Sequence, residues 1–589
     1  MSRPVTRKMH KLISIVNTAC AVLWLVACGG GGGGSSVNEV PIDTTPAVNG
    51  ADQALADNTA YSSARNGSLP GATEAAAVTH HNITLGGQTI AYTARAGHLI
   101  AREPVTARAQ AAFFYVAYTA DGAAPANRPV TFFYNGGPGS STVWLHLGSY
   151  GPRRLATSAP STTASRPLPM VANAESLLDV TDLVFVNAVG TGLSTAIAPF
   201  TNGSFYSVDA DAALMRDFVL RWLVANDRLA SPKFLFGESY GGPRTAILAP
   251  LLHAAGVRLD GLILQSPALN YASNCDVSDT PNISCVGYIP SYGAVGVHFV
   301  LTTPLPTSLS GFIDELRGFT DSSYAPAVNA VLAGAAAPSN LLPRLAGYTG
   351  LPAGAWQAQF NKGPGGFRNG LLPGSLLGRY DARMAAPLGS ALAAEGDPSS
   401  TFITTSFVSA IDTELRNTLR YTAQATYVVL SDAINTWSFN HAGRPVPDTI
   451  PDLATALQQN PQLRVLAISG LHDLATPFHQ TELDLARLGT GLSAGLGLVS
   501  RVTVRNYAGG HMSYLDDSSR AQQKADLAAF YRATPLQRSA TALAFKPHAT
   551  ALADSAGTPS VMAPISEAAI QAPLRDPWVP RPNTFQAPP

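Results

Sequence analysis

Groups able to carry nucleophilic chemistry stand at three points in this sequence. The stretch "KFLFGESYGGPRTAILAP" (233–250) is an apolar run, then a glycine-crowded turn, then a helix-like pattern, with Ser239 at the apex and Glu238 beside it. Gly237 and Gly241 complete a G-x-S-x-G pattern, in which a serine sits on a tight strand-to-helix turn where flanking side chains would clash. Such a hydroxyl attacks a carbonyl only if a base takes its proton, and the base needs a carboxylate to orient it. Downstream, "VLAISGLHDLATP" sets Asp473 just past one strand-like run, and "VTVRNYAGGHMSYLD" sets His511 just past the next. Taken singly, that aspartate reads as a helix cap and that histidine as a solvated turn residue. Together, Ser, Asp and His in this order at three strand ends make a triad for acyl transfer through a covalent intermediate.

The elements around these residues alternate. "HNITLGGQTIAYTARAG" has two alternating runs about Gly86-Gly87, a hairpin pattern, and "AAFFYVAYTADG" and "RPVTFFYNGG" are rich in aromatic and β-branched residues, as strands are. "LLDVTDLVFVNAVGTG" reads as a strand buried on both faces. In "SVDADAALMRDFVLRWLVAN", Leu214, Phe218 and Trp222 recur at steps of four, which predicts an amphipathic helix. Strand "KFLF", a helix with Pro243 in its first turn, and strand "RLDGLILQSP" follow. This order predicts an α/β fold with a mostly parallel sheet and helices on both faces. From about 272 to 460 the rhythm lapses into Pro/Gly breaks and helical stretches, a largely helical cap insertion. It resumes at "QLRVLAISG", so the domain spans 76–535, followed by an Ala/Pro-rich tail at 536–589.

Composition narrows the class. The chain has 589 residues, 46% hydrophobic and 13% charged, with 38 basic against 38 acidic side chains, so no electrostatic footprint for nucleic acid is present. The N-terminus joins a basic "MSRPVTRKMHK" to the apolar "LISIVNTACAVLWLVA", an export signal shorter than the usual ~20 residues of a membrane span. It ends in "LVAC" at Cys28, followed by Gly29 to Gly34 and two serines. That pattern resembles the lipobox of bacterial lipoproteins, which implies a signal at 1–27 and acylation of Cys28. Residues 28–75 would then be a flexible tether holding the protein at the cell envelope, the alternatives being an ordinary signal peptide with a secreted product or a short membrane helix. Cys275 and Cys285, ten residues apart in an exported chain, are expected to form a disulfide, and no metal-ligand spacing is present.

The sequence resembles the serine carboxypeptidase family in its bacterial form. "NGGPGSS" (135–141), "GSYGPRR" (148–154), "VGTGLS" (189–194), "GESYGG" (237–242) and the pair "GLHDLATPF" with "AGGHMSYLD" carry the match, and "GYIPSY" (287–292) adds to it. The resemblance implies an α/β-hydrolase fold without cofactor or metal, acting on peptides with a free C-terminus. Ser239 would be the nucleophile, His511 the base and Asp473 its orienting acid. The backbone N–H groups of Gly137 and Tyr240 would form the oxyanion hole, and Asn135 and Glu238 would bind the substrate carboxylate. The chain departs from the family at Ser149, where the usual partner acid of Glu238 stands, and at Ser140, Asn187 and Ala188. Esterase or acyltransferase chemistry on the same triad, and a non-catalytic binding role for the scaffold, are the alternatives the sequence leaves open. Arg153-Arg154, His472, His479 and Trp437 are lesser candidates: the arginines read more readily as a surface pair, the histidines lack the spacing of a zinc-binding motif, and Trp437 reads equally as a packed core indole.

Overall fold

The computed structural model describes residues 50–276 and 283–534. The leader at 1–27, Cys28, the first part of the tether and the tail at 536–589 lie outside them. The sheet is built from β1 (Ala75–Leu85), β2 (Gln88–Arg102), β3 (Ala109–Ala120), β4 (Val130–Tyr134), β5 (Asp182–Val186), β6 (Lys233–Glu238), β7 (Gly261–Gln265), β8 (Arg464–Gly470) and β9 (Val502–Tyr507). A tenth strand, Thr195–Ala196, pairs with β3. The spatial order is β9-β8-β7-β6-β4-β5-β3-β2-β1. All pairs from β9 to β5 are parallel, and β5 to β1 are antiparallel. This is the α/β-hydrolase sheet, with the hairpin predicted at Gly86-Gly87 joining β1 to β2.

The parallel strands are apolar throughout because helices cover both faces. β6 is buried at every position. On one face lie α1 (Val208–Ala225) and α2 (Gly241–Ala254), where Leu214, Phe218 and Trp222 bury against Phe132, Leu235 and Leu262. Each such side chain contributes roughly 1.5–3 kcal/mol relative to exposure. Ser207 caps α1 by accepting the Ala210 N–H. On the opposite face, α4 (Pro398–Thr413) and α6 (Asp517–Ala533) bring Phe407, Leu527 and Tyr531 against Phe133, Phe236 and Ile263.

The insertion after β7 is largely helical and has its own core, in which Tyr288, Tyr292, Trp356 and Phe367 pack with Leu474 and Phe478. "GYIPSY" opens its helix α3 (Ile289–His298). Two boundaries differ from the sequence reading. Residues 450–459, counted there as cap, form α5 (Ile450–Gln459), whose Leu453 and Leu457 join the same buried cluster as α2. That helix belongs to the hydrolase layers. Residues 50–74, counted as tether, are held on the domain. Leu55–Asp57 pairs in parallel with Tyr421–Ala423, Tyr61 stacks on His98 at 4.2 Å, and Leu69 is buried. Single anchors with backbone pairing leave no apolar period, so composition alone looked like linker. Cys275 and Cys285 are joined in a disulfide, with Cα atoms 5.5 Å apart. Among the described residues no helix is long and apolar enough to cross a membrane.

Candidate active site

The elbow forms where β6 turns into α2. Ser239 has φ +60°, a backbone conformation rare for a residue with a side chain, and its hydroxyl-bearing residue is only partly buried. A Cβ on Gly237 would stand 2.2 Å from the carbonyl oxygen of Gly241, so the strand can enter the turn only through glycine. The Ser239 N–H donates to the carbonyl of Gln265 at the end of β7 (2.9 Å).

Asp473 and His511 meet beyond the neighbouring strands. His511 Nδ1 lies 2.8 Å from Asp473 Oδ2, both residues being almost fully buried. Asp473 Oδ1 accepts the N–H groups of Ala475 (2.8 Å) and Thr476 (3.0 Å). The Thr476 hydroxyl lies 2.8 Å from Asp473 Oδ2, 2.9 Å from the Ser266 carbonyl and 2.9 Å from His511 Nδ1. A carboxylate facing Nδ1 favours the tautomer with the proton on Nδ1, which would leave the lone pair on Nε2. The ring is covered by Tyr380 from the insertion, 4.9 Å between centroids, and the His511 N–H donates to the Tyr380 carbonyl (2.5 Å).

Gln265 and Ser266 brace the two halves. While the Gln265 carbonyl holds Ser239, its side-chain amide donates to the His511 carbonyl (3.2 Å), and Ser266 Oγ donates to the same oxygen (2.7 Å). Among the described residues no hydrogen bond runs from Ser239 Oγ to the imidazole. Catalytic contacts of this kind tighten when substrate is bound.

The loop of "NGGPG" crosses directly over the elbow. A Cβ on Gly136 would stand 2.4 Å from the Tyr240 nitrogen, so the loop backbone passes against the start of α2 one residue before Gly137. The loop is anchored from below by Arg244, fully buried, whose Nη1 donates to the Asn135 carbonyl (2.7 Å) and whose Nε donates to Asp211 Oδ2 (2.6 Å).

Asn135 and Glu238 are in contact: Asn135 Nδ2 donates to Glu238 Oε1 at 2.7 Å. The second oxygen, Oε2, accepts the hydroxyl of Tyr514 at 2.6 Å. Burial pushes the Glu238 carboxyl up to about 7, and the nearby charge of Asp473 adds to the rise. His511, Tyr514 and Asn135 pull the other way. Ser149 faces elsewhere, its hydroxyl donating to the Leu145 carbonyl (2.5 Å). Asn187, in place of the usual aspartate, accepts the Thr142 N–H (2.8 Å) and the Tyr427 hydroxyl (2.8 Å), tying the "NGGPG" segment to the insertion. Ser140 Oγ accepts the Trp144 indole N–H (3.0 Å).

The lesser candidates are engaged in structural contacts. Arg153 pairs with Glu414, and Arg154 with Glu175 and Asp517. His472 is buried, which pushes its imidazole down to about 3, and His479 sits between Glu482 and Asp321. Trp437 packs against the rings of Tyr206 and Tyr240. The residues that sequence reasoning missed are Thr476, Gln265, Arg244 and Tyr514. Thr476 alone left a signal, three positions after Asp473 in a turn.

Sheet order, elbow and the buried Asp–His pair define an α/β-hydrolase of the serine type. Residues 86–276, which carry the "NGGPG" loop and the elbow, match the model of the family described as serine carboxypeptidase. Asp473 and His511 lie beyond the matched residues. No curated protein matches the chain in sequence. Solved structures that it resembles include proline iminopeptidase of Mycobacterium smegmatis (13% identity, 74% of this chain and 97% of that one, TM-score 0.29). A thermophilic esterase from Thermogutta terrifontis (12%, 74% and 99%, TM-score 0.30) and a soluble variant of monoglyceride lipase from Saccharomyces cerevisiae (11%, 72% and 91%, TM-score 0.31) are others.

Proposed function

We propose that this protein is an exported serine carboxypeptidase, lipid-anchored at Cys28, that removes C-terminal residues from peptides. The observation that carries the reading is the buried Asn135–Glu238 contact one residue before the nucleophile. A buried carboxyl that can be protonated near neutral pH can take a substrate carboxylate as a hydrogen-bonding partner. In the proposed reaction Ser239 Oγ attacks the last peptide carbonyl as His511 Nε2 takes its proton. The oxyanion forms against the N–H groups of Gly137 and Tyr240, and the imidazolium returns the proton to the departing amine. Water then repeats the sequence on the acyl-enzyme, releasing the shortened peptide and restoring Ser239. Export rests on the basic–apolar leader and is supported by the Cys275–Cys285 disulfide.

The decisive assay compares a blocked dipeptide with its C-terminal amide. Preference for the free acid by about 100-fold or more in kcat/KM is expected, the size of a buried charge-assisted contact. Equal rates would return the protein to the esterase class, and failure of a fluorophosphonate to label Ser239 would return it to the binding-scaffold class.

Glu238→Gln is the matching variant. Above pH 7 the ionised carboxyl repels a substrate carboxylate, so wild-type kcat/KM for the free acid falls as pH rises through about 7. An amide cannot ionise, so in Glu238→Gln that fall disappears and activity extends to higher pH. An unchanged pH profile would sink the role of Glu238.

A further inference from the structure

Resting on that reading, the structure carries a further assignment for the carboxylate site. We propose that Tyr514 stands in for the acid missing at position 149: its hydroxyl accepts the proton that Glu238 must carry, and donates its own to the terminal carboxylate of the peptide.

The argument is one of donors and acceptors. Asn135 Oδ1 accepts the Leu145 N–H (3.1 Å), which fixes the amide so that Nδ2 faces Glu238 Oε1 as a donor. An amide nitrogen cannot accept, so no proton can sit on Oε1 against it. The proton of a neutral Glu238 therefore belongs on Oε2, whose partner is the Tyr514 hydroxyl. A phenol can rotate from donor to acceptor. When it does, its own hydrogen is freed to reach an incoming carboxylate oxygen.

Ser149 takes no part in this arrangement. Ser149 is committed to the Leu145 carbonyl, and its own carbonyl takes Asn173 Nδ2 (2.8 Å). The neighbouring space is filled by the Tyr514 ring, 3.1 Å from where a Cβ on Gly148 would stand. The charged and titratable groups facing this pair are His511 and Asp473 toward Glu238, and Tyr150 toward Tyr514, with Arg520 donating to the Tyr514 carbonyl. Burial, with the Glu238 charge beside it, holds the Tyr514 phenol well above its ordinary value, so it stays protonated and relays rather than ionises. A single proton taken from solvent onto Oε2 balances each carboxylate bound, and it leaves with the product.

Two measurements test this. In Tyr514→Phe the acid-over-amide preference is expected to fall by about tenfold or more, the worth of a hydrogen bond to a charged group. The high-pH fall in activity should move upward at the same time, because the ionised carboxyl has lost one of its two donors. A packing role would give no such opposed pair of effects, and a variant with wild-type preference and pH profile would overturn the assignment. The second measurement keeps the network intact. Ser239→Ala is titrated by calorimetry at pH 8 with benzyloxycarbonyl-Phe-Leu, in two buffers of different ionisation heat. Uptake of about one proton per peptide, and none for the amide, is expected. No uptake overturns the proposal even if Tyr514→Phe does not fold. If the wild type cleaves acid and amide alike, the carboxypeptidase reading fails and takes this one with it. If it prefers the acid and takes up the proton while Tyr514→Phe behaves as wild type, only Tyr514 is wrong.

Discussion

Asp473→Asn is expected to lower kcat for a blocked dipeptide by about 10⁴-fold, with the protein still folded. The size follows from which atoms the new amide must match. Asp473 Oδ1 accepts two backbone N–H groups, from Ala475 and Thr476. In asparagine only the oxygen can do so, which forces the amide nitrogen into the place of Oδ2, 2.8 Å from His511 Nδ1. That nitrogen is a donor, so the imidazole must turn its Nδ1 lone pair toward it and carry its proton on Nε2. The base then has no lone pair for the Ser239 proton. The loss should fall on kcat rather than KM, since nothing that touches the peptide has changed. Fluorophosphonate labelling of Ser239 should slow in parallel. A loss under tenfold, with the thermal melt unchanged, would remove Asp473 from the reaction.

That same aspartate shows why some of the site was readable and some was not. As a sequence feature it had two competing meanings, a turn cap and an orienting acid, and the structure gives each an atom: Oδ1 accepts the turn N–H groups and Oδ2 faces His511 Nδ1. β6 and α1 were legible because burial on both faces and on one face leave different periods in the chain. The elbow was legible because Gly237 and Gly241 meet within it and only glycine fits. Tyr514 was not, because its meaning lies in a contact with Glu238, 276 residues away in sequence, and "HMSYLD" carries no pattern that points there. Gln265 hid for a related reason. It reads as the last residue of a buried strand, yet its backbone and side chain hold Ser239 and His511 respectively. The segment at Leu55–Asp57 and helix α5 were misassigned where docking partners, rather than local composition, decide the structure.

Gly136→Ala should lower kcat by about 10²–10³-fold, the cost of losing one oxyanion donor. The added Cβ would stand 2.4 Å from the Tyr240 nitrogen, 2.7 Å from the Glu238 carbonyl oxygen and 3.0 Å from the Gly241 nitrogen. All three are backbone atoms of the elbow, buried between sheet and helix, so none can give way as a flexible side chain would. The loop must move instead. It is pinned on its near side by Arg244 at the Asn135 carbonyl, so the displacement falls on Gly136 and Gly137. A shift of about 1 Å there separates the Gly137 N–H from the point that Tyr240 also addresses, and misplacement on that scale costs about 10²-fold. Gly365→Ala is the control, because a Cβ there meets nothing within 4 Å, and it should behave as wild type. The loss at Gly136 should be shared by peptide and ester substrates, since the oxyanion forms in both. That separates it from changes at Glu238, which touch only substrates with a free carboxylate. A Gly136→Ala enzyme that hydrolyses an ester at the wild-type rate would mean that the loop does not form the oxyanion site.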